Sequence, residues 1–514
     1  MKYFLTLIQL WVGFLSICAS YPKANIWIIP SVESPQVYRN YAQTSKVHLE
    51  MARGEVEHIQ LVFPSKVNEE YRFTFDRYLK GIQISARELK KMNGYYDALV
   101  PFKNQLKCTD TLTAVWITVQ CPSRVPVGKY HQTIKIEGSK HFTIQLDYNV
   151  HHTTIPLKSS IPITVGVENR CMTECLNDKE ADKERQRWVD FVLSYRMTPV
   201  FGTQITPERW QYEHSFSPWA WNDKRSIRLL NDRRYSCYML PFFTLSENEL
   251  ASLLCNIQKK GKLKESLFYI WDEPAYMEDY EQIKRKVNII RKYASDARIL
   301  TTFFCGPRNG PRKGDLYAVF DYLKHHIHVA TISLAPCKGN EEEVQHIRYK
   351  VPEGIDWWSY VCWQPGGNEP NFLLQMKGIQ QRAIMWRTWK NGSQGFLYWN
   401  CNIYHKRNPF TYITDMPHGD GILIYPGDIL GRKGPIASAR LERWRDGAEE
   451  MELLRLVEKN YSKEKADTLL NIVYSSPLSF IEKAHNIPFF RKELLDQLDK
   501  TIPIDYKLRI TDFI

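Results

Sequence analysis

Long apolar runs are missing from this sequence after its first twenty residues, and this absence excludes a membrane-spanning helix in the later part of the chain. Glycine-rich phosphate loops, zinc-finger spacings and arrays of basic helices are also missing, so the formal net charge of +12 indicates a basic surface rather than a nucleic-acid partner. Cys171 and Cys175 have no second pair or histidine nearby in the sequence to complete a zinc site. We therefore expect no metal ion and no cofactor, and no feature specifies an oligomeric state.

Residues 1–20 have the pattern of a secretory signal peptide. Lys2 is followed by an apolar run over residues 4–17 and by the small residues Cys18, Ala19 and Ser20. A lipoprotein anchor at Cys18 is disfavoured because Ile17 stands where a small residue is needed. We expect the mature protein to be secreted, periplasmic or located at the cell surface.

The rest of the chain is too long for one ordinary domain and divides by its hydrophobic pattern. Residues 21–158 contain short runs of alternating apolar and polar residues, which predict an antiparallel β-sandwich. Examples of these runs are residues 57–63 (EHIQLVF), 113–119 (TAVWITV) and 142–148 (FTIQLDY).

Residues 159–460 alternate strand-like and helix-like segments, a pattern typical of a TIM-like (β/α)8 barrel. A doubly wound sheet is the structural alternative, but no glycine-rich turn follows any early strand. A charge-rich helix over residues 437–459 is expected to be a solvated or ion-paired outer face. Residues 461–514 are predicted to form a short carboxyl-terminal helical section.

The sharpest motif is residues 269–274 (YIWDEP), in which an apolar strand runs into two adjacent carboxylates and a proline. In a parallel barrel the carboxyl ends of the strands border the active site, so Asp272 and Glu273 are expected to lie there. Pro274 disfavours the α-conformation at the preceding residue, which predicts an extended backbone at Glu273.

Adjacent acids suit one kind of glycoside hydrolysis better than the others. A retaining glycosidase with its own nucleophile places two carboxyl groups roughly 5 Å apart across the scissile bond, and an inverting enzyme separates them further. Side-by-side acids fit substrate-assisted hydrolysis, in which the 2-acetamido oxygen of the sugar attacks C1. We assign Glu273 as the general acid/base and Asp272 as the partner of the acetamido group; helix capping by acids is the alternative interpretation.

With this motif, the sequence resembles glycoside hydrolase family 123, the β-N-acetylgalactosaminidases, and the wider uncharacterised group that shares their catalytic domain. The resemblance covers nearly the whole mature chain in the same order. Besides the acid pair it runs through residues 52–57 (ARGEVE), 195–199 (YRMTP), 357–362 (WWSYVC), 395–399 (GFLYW), 419–421 (GDG), 425–427 (YPG) and 440–442 (RLE).

The resemblance implies a β-sandwich followed by a barrel, acetamido-assisted retaining catalysis by an adjacent Asp-Glu pair, and release of terminal β-linked N-acetylgalactosamine from glycans or glycolipids. It also implies aromatic and tyrosine groups around the sugar. Our candidate substrate-binding residues are of three kinds. The hydroxyl donors are Tyr360 and Tyr398, and the rings that could stack on the sugar are Trp358, Trp363 and Trp399. The amides that could bind sugar hydroxyls are Asn371 and Asn400.

Two other functions stay open at this point. One is a barrel glycosidase for a different sugar, which would use Glu273 with a distant carboxylate such as Glu168 or Asp356. The other is a secreted glycan-binding protein without catalysis. The intact acid pair argues against a binding protein, because binding alone needs no acid beside a leaving group.

Overall fold

The computed structural model describes residues 26–76, 81–206, 211–404, 408–409 and 419–501. The predicted signal peptide, with Cys18, and the end of the predicted helical section, residues 502–514, lie outside these ranges. In the described part of the chain, no helix combines the length and the apolarity needed to cross a bilayer.

The amino-terminal part is a pair of five-stranded sheets in the orders β1-β3-β8-β5-β6 and β2-β10-β9-β4-β7. Leu61 and Ile117 of one sheet are buried in a common core with Ile134 and Leu146 of the other, which confirms the predicted β-rich region. The strands are β1 Trp27–Pro30, β2 Lys46–Arg53, β3 Glu55–Pro64, β4 Glu70–Phe75, β5 Gln83–Met92, β6 Tyr95–Pro101, β7 Gln105–Lys107, β8 Leu112–Cys121, β9 Gly128–Glu137 and β10 His141–Thr154.

A nine-stranded sheet follows, flanked by helices, in the order β13-β12-β11-β19-β18-β17-β16-β15-β14. Its strands are β11 Ile163–Glu168, β12 Thr198–Thr206, β13 Gln211–Ser215, β14 Tyr238–Met239, β15 Ser266–Trp271, β16 Arg298–Phe303, β17 Val329–Ser333, β18 Asp356–Val361 and β19 Phe396–Tyr398. The helices are α1 Asn169–Thr173, α2 Asp178–Ser194, α3 Lys224–Leu229, α4 Glu247–Lys259, α5 Met277–Arg291, α6 Ala318–Leu323, α7 Glu341–Lys350 and α8 Gly378–Lys390.

The sheet is nearly closed, and one of its strands departs from a regular eightfold repeat. All of its pairings are parallel except that of β13, which folds back on β12 as an antiparallel hairpin. Just after β13, the backbone N–H of Phe216 donates to the carbonyl of Met239 in β14 (2.6 Å), which brings the two edge strands together. The mixed α/β barrel-like sheet was predicted, whereas this inserted strand was not.

The carboxyl-terminal helices are confirmed within the described residues, but the outer face predicted for the charge-rich helix is wrong. The segment begins with strands β20 Ile424–Pro426 and β21 Pro435–Ala437 and continues through α9 Ala439–Asn460, α10 Lys463–Leu470 and α11 Ile487–Asp499. Most side chains of α9 are buried. Its charges tolerate burial because they find opposite charges: Arg440 pairs with Asp97 of β6 (2.9 Å), and Glu450 accepts a hydrogen bond from Arg382 of α8 (3.0 Å).

Candidate active site

Strand β15 delivers the two acids to the carboxyl end of the barrel-like sheet. Its side chains are mostly apolar and almost all buried, as expected for a parallel strand covered on both faces. The register with β16 shifts between Tyr269 and Trp271, so the regular ladder ends just before the acids. Glu273 has a φ of 44°, which corrects the predicted extended backbone. Pro274 disfavours the right-handed helix, and the chain turns through the left-handed region instead.

The side chain of Asp272 is held in place by two hydroxyl groups. Its Oδ1 accepts hydrogen bonds from the hydroxyls of Tyr269 (2.6 Å) and Thr302 (2.7 Å). The Thr302 oxygen also accepts the backbone N–H of Glu273 (2.9 Å), which supports the left-handed turn. The Asp272 side chain is exposed, so a ligand can reach it.

Glu273 has the acidity expected of a proton donor at neutral pH. Crowding by protein atoms and then the adjacent Asp272 charge raise the pKa of Glu273 to about 7, although its side chain reaches solvent. The hydroxyl of the buried Tyr360 donates a hydrogen bond to Glu273 Oε1 and, with Arg308, opposes this rise. The two acids therefore have different surroundings, which is typical of groups with different roles.

Tyr360 is the predicted sugar-binding residue that the structure brings directly to the acid pair. Trp358 lies two residues earlier on β18 and packs in the barrel core, where a Cβ on Gly395 would come within 2.2 Å of its indole ring. Trp363 follows the end of β18 and is 44% exposed, as a ring that stacks on a sugar needs to be.

Tyr398 and Trp399 meet at Asp420 rather than at the acid pair. The Tyr398 hydroxyl and the Trp399 indole N–H each donate to Asp420 Oδ1 (3.1 Å for both). Asn371 is buried and donates to backbone carbonyls, including that of Cys362 (2.9 Å). Asn400 is also buried, and its Oδ1 accepts the N–H of Asn402 (2.9 Å). In the free protein each of these four side chains makes at least one hydrogen bond to another group of the protein.

Three residues at the site were missed by the sequence reasoning. Tyr269 and Thr302 hold Asp272, and the ring of His214 on β13 stacks on Tyr269 at a centroid distance of 4.3 Å. A signal existed for Tyr269 and Thr302, because both stand near the carboxyl ends of predicted strands. None existed for His214, because the strand that carries it was not predicted.

The two distant carboxylates proposed for a different glycosidase lie at opposite ends of the sheet. Glu168 ends β11, at the same edge as the acid pair, and burial raises its pKa to about 7. Asp356 begins β18 and forms an ion pair with Arg298 at the start of β16. Since these strands are parallel, Asp356 lies at the edge away from the site and is excluded as a partner of Glu273. Within the described ranges, no group of three or more His, Cys, Asp or Glu side chains is arranged to hold a metal ion.

Comparison with known proteins gives similarities in sequence and in fold. A family model described as "Glycoside hydrolase 123, catalytic domain" matches residues 183–457, more than half of the chain. The fold is similar to that of a family 123 glycoside hydrolase from Clostridium perfringens, with a TM-score of 0.62, 13% sequence identity, and coverage of 95% of this chain and 100% of that chain. An FMN-binding beta-glucuronidase from Facaelibacterium prausnitzii L2-6 aligns with a TM-score of 0.32 and 10% identity over 82% of this chain and 62% of its own. No curated protein sequence matches the chain.

The protein is therefore a glycosidase. The chain belongs to glycoside hydrolase family 123.

Proposed function

We propose that the protein releases terminal β-linked N-acetylgalactosamine by substrate-assisted, retaining catalysis. The observation that carries this proposal is the pairing of an anchored carboxylate with an acid of raised pKa on consecutive residues. Asp272 is fixed by two hydroxyl donors, while the pKa of Glu273 is about 7. These are the properties that an acetamido partner and a general acid require.

In the proposed first step, the acetamido oxygen of the bound sugar attacks C1 as the glycosidic C–O bond breaks. Glu273 gives its proton to the departing oxygen, and Asp272 accepts the acetamido N–H and balances the positive charge that develops there. In the second step Glu273, now ionised, takes a proton from water as the water opens the cyclic intermediate at C1. Two displacements at the same carbon retain its configuration.

The substrate class draws on the resemblance and on the Clostridium perfringens relative, whose structure is described in terms of glycolipid glycan hydrolysis. We propose glycan or glycolipid ends as substrates and interpret the sheet as a (β/α)8 barrel with one inserted strand. The pattern of residues 1–20 supports export to an extracellular or periplasmic location, where such glycans are found.

The decisive experiment measures hydrolysis of β-glycosides of N-acetylgalactosamine, N-acetylglucosamine and galactose by the wild type and two variants. Each sugar is used once with a chromogenic leaving group and once with a poor, alkyl leaving group. Glu273→Gln is expected to lower kcat by about 10²- to 10⁴-fold on substrates with poor leaving groups, because proton transfer is lost. Asp272→Asn is expected to lower activity on the acetamido sugars by removing the charge that balances the intermediate. Galactosides, which lack the acetamido group, are expected to be inert.

Glu281→Gln is the matched control, since Glu281 is an exposed carboxylate on α5 paired with Lys284 (2.8 Å). It is expected to behave as wild type. Near-normal rates of Glu273→Gln on poor leaving groups would overturn the role of Glu273. Equal activity on galactosides would overturn acetamido assistance.

A second candidate, a glycosidase with a protein nucleophile, keeps some support from Glu168 at the same edge of the sheet. Its raised pKa is a disadvantage, because a nucleophilic carboxylate must be ionised. Covalent labelling of Glu168 by an activated fluorosugar, followed by peptide mass spectrometry, would favour this candidate over the first.

A further inference from the structure

The inserted strand β13 brings a histidine to the acid pair from outside the regular pattern of the sheet. Gly202 of β12 lies opposite His214 in the antiparallel ladder. The imidazole lies against the ring of Tyr269 with the two planes at 9° and their centroids 4.3 Å apart. Tyr269 in turn donates its hydroxyl to Asp272 (2.6 Å). A short chain of contacts therefore runs from β13 to the carboxylate.

The imidazole is placed as a packing surface rather than as a charged group. Burial lowers the pKa of His214 to about 3, so the ring is neutral at ordinary pH. Its Nδ1 is buried and has no hydrogen-bond partner among the described residues. No proton-transfer or ion-pair role is needed to explain the contact, which is made by the face of the ring.

We propose that His214 is a positioning residue for the reaction: its ring holds Tyr269 in the orientation from which the hydroxyl fixes Asp272. This inference rests on the proposed role of Asp272 as partner of the acetamido group. The tyrosine oxygen lies on the axis about which the ring turns, so its position depends on the Cα–Cβ torsion and on the packing around the ring. The imidazole fills the space on one face of the Tyr269 ring and so limits displacement of the whole side chain. Without the imidazole, Tyr269 gains freedom and Asp272 loses one of its two hydroxyl donors for part of the time.

The test compares His214→Ala with His214→Phe on a chromogenic β-N-acetylgalactosaminide. His214→Ala is expected to lower kcat by about 10- to 100-fold with little change in KM, because misplacement of a reacting group affects the transition state most. His214→Phe keeps a flat ring and is expected to recover most of the activity. Tyr269→Phe keeps the stack but lacks the hydroxyl, so it is expected to lose kcat as His214→Ala does.

Glu213→Gln controls for damage to β13 that acts through stability alone. The Glu213 carboxylate accepts the backbone N–H groups of Phe242 (2.8 Å) and Thr244 (2.7 Å), neither of which belongs to the acid pair. This variant is expected to lower the melting temperature while kcat stays at the wild-type value. If His214→Ala melts early, His214→Leu, which fills the space without a flat ring, is compared with His214→Phe. The leucine variant is expected to lose kcat while the phenylalanine variant keeps it, and equal kcat values in the two would overturn the positioning role.

A double variant separates this inference from the proposed function. In the Asp272→Asn background, His214→Ala is expected to cause no further fall in kcat, because both changes disable the same group. A wild-type kcat in His214→Ala, or an equal further fall in the Asp272→Asn background, would overturn the positioning role. Full activity of Asp272→Asn itself would instead overturn the proposed function.

Discussion

The hydroxyl of Tyr360 offers a way to change the acidity of Glu273 without removing either acid. In the free protein this hydroxyl donates a hydrogen bond to the Glu273 carboxylate. A donor stabilises the ionised form, so it lowers the pKa of Glu273. It acts against the larger effects of crowding by protein atoms and of the Asp272 charge, and the resulting pKa is about 7. Tyr360→Phe removes the donor and keeps the ring, so the pKa of Glu273 is expected to rise.

The expected change in the pKa of Glu273 follows from the strength of its hydrogen bond with Tyr360. A hydrogen bond to a charged group is worth about 1.5–3 kcal/mol. Because Glu273 reaches solvent, which replaces part of the lost interaction, we take the lower end of that range. A free energy of about 1.4 kcal/mol corresponds to a tenfold change in an ionisation constant, so the expected displacement is about one pH unit.

The assay is the pH dependence of kcat/KM on a β-N-acetylgalactosaminide. Glu273 must be protonated to act as the acid, so activity falls as the pH rises through its pKa, with a midpoint of about 7 in the wild type. Tyr360→Phe is expected to move this basic limb up by about one pH unit. Asp272→Asn is expected to move it down, because the neighbouring negative charge is removed.

Tyr349→Phe is the matched control, since Tyr349 is 87% exposed on α7 and its hydroxyl plays no part in the site. Its pH profile is expected to coincide with that of the wild type. The assignment of the basic limb to Glu273 would be refuted if its midpoint pH did not change in Tyr360→Phe. It would also be refuted if the midpoint rose, rather than fell, in Asp272→Asn.

Two further substitutions test the surroundings of the site. Gly395→Ala would place a Cβ 2.2 Å from the indole of the buried Trp358, so it is expected to lower the free energy of unfolding in urea by about 1–3 kcal/mol. Gly366→Ala, whose Cβ would meet no atom closer than 3.8 Å, is expected to change it by less than about 0.5 kcal/mol. Trp363→Ala is expected to raise KM about fivefold with kcat unchanged, because stacking on the sugar is lost equally from the ground and transition states. Tyr349→Ala, which removes an exposed ring on α7, is expected to leave both constants unchanged.

The parts of the fold that could be predicted are those marked by a pattern of neighbouring residues in the sequence. Period-two alternation marked the strands of the amino-terminal sheets, because one face of each strand packs into the common core. The run into Asp272 and Glu273 marked a strand end, and strand ends in parallel sheets border active sites. The role of Thr302 was not predicted, because its hydrogen bond from β16 to Asp272 depends on the register between strands. Tyr269 is only three residues from Asp272, and its role depends on how β15 ends, where the register with β16 shifts.

The inserted strand and the burial of α9 were not predicted for a different reason. β13 is five residues long and lacks the apolar alternation that marks a strand. The charges of α9 look solvated in the sequence, since their partners are far away in the chain: Asp97 for Arg440 and Arg382 for Glu450. A local sequence pattern carries no information on such distant partners. A buried, ion-paired helix and a solvent-exposed helix can therefore have the same pattern of charged residues.

The buried charges also explain why several segments of the family resemblance contain no catalytic group. Arg440 joins three parts of the chain: it pairs with Asp97 of the amino-terminal sheets and donates to the carbonyls of Gly419 (2.7 Å) and Phe372 (2.8 Å). Removal of one partner from such a buried pair costs about 3–5 kcal/mol, whereas the intact pair adds little over apolar packing, so its main contribution is to specify geometry. Gly419 precedes Asp420, the residue that holds Tyr398 and Trp399 at the end of β19. The amino-terminal sheets thus help to fix the carboxyl edge of the barrel-like sheet, where the reaction is proposed to occur.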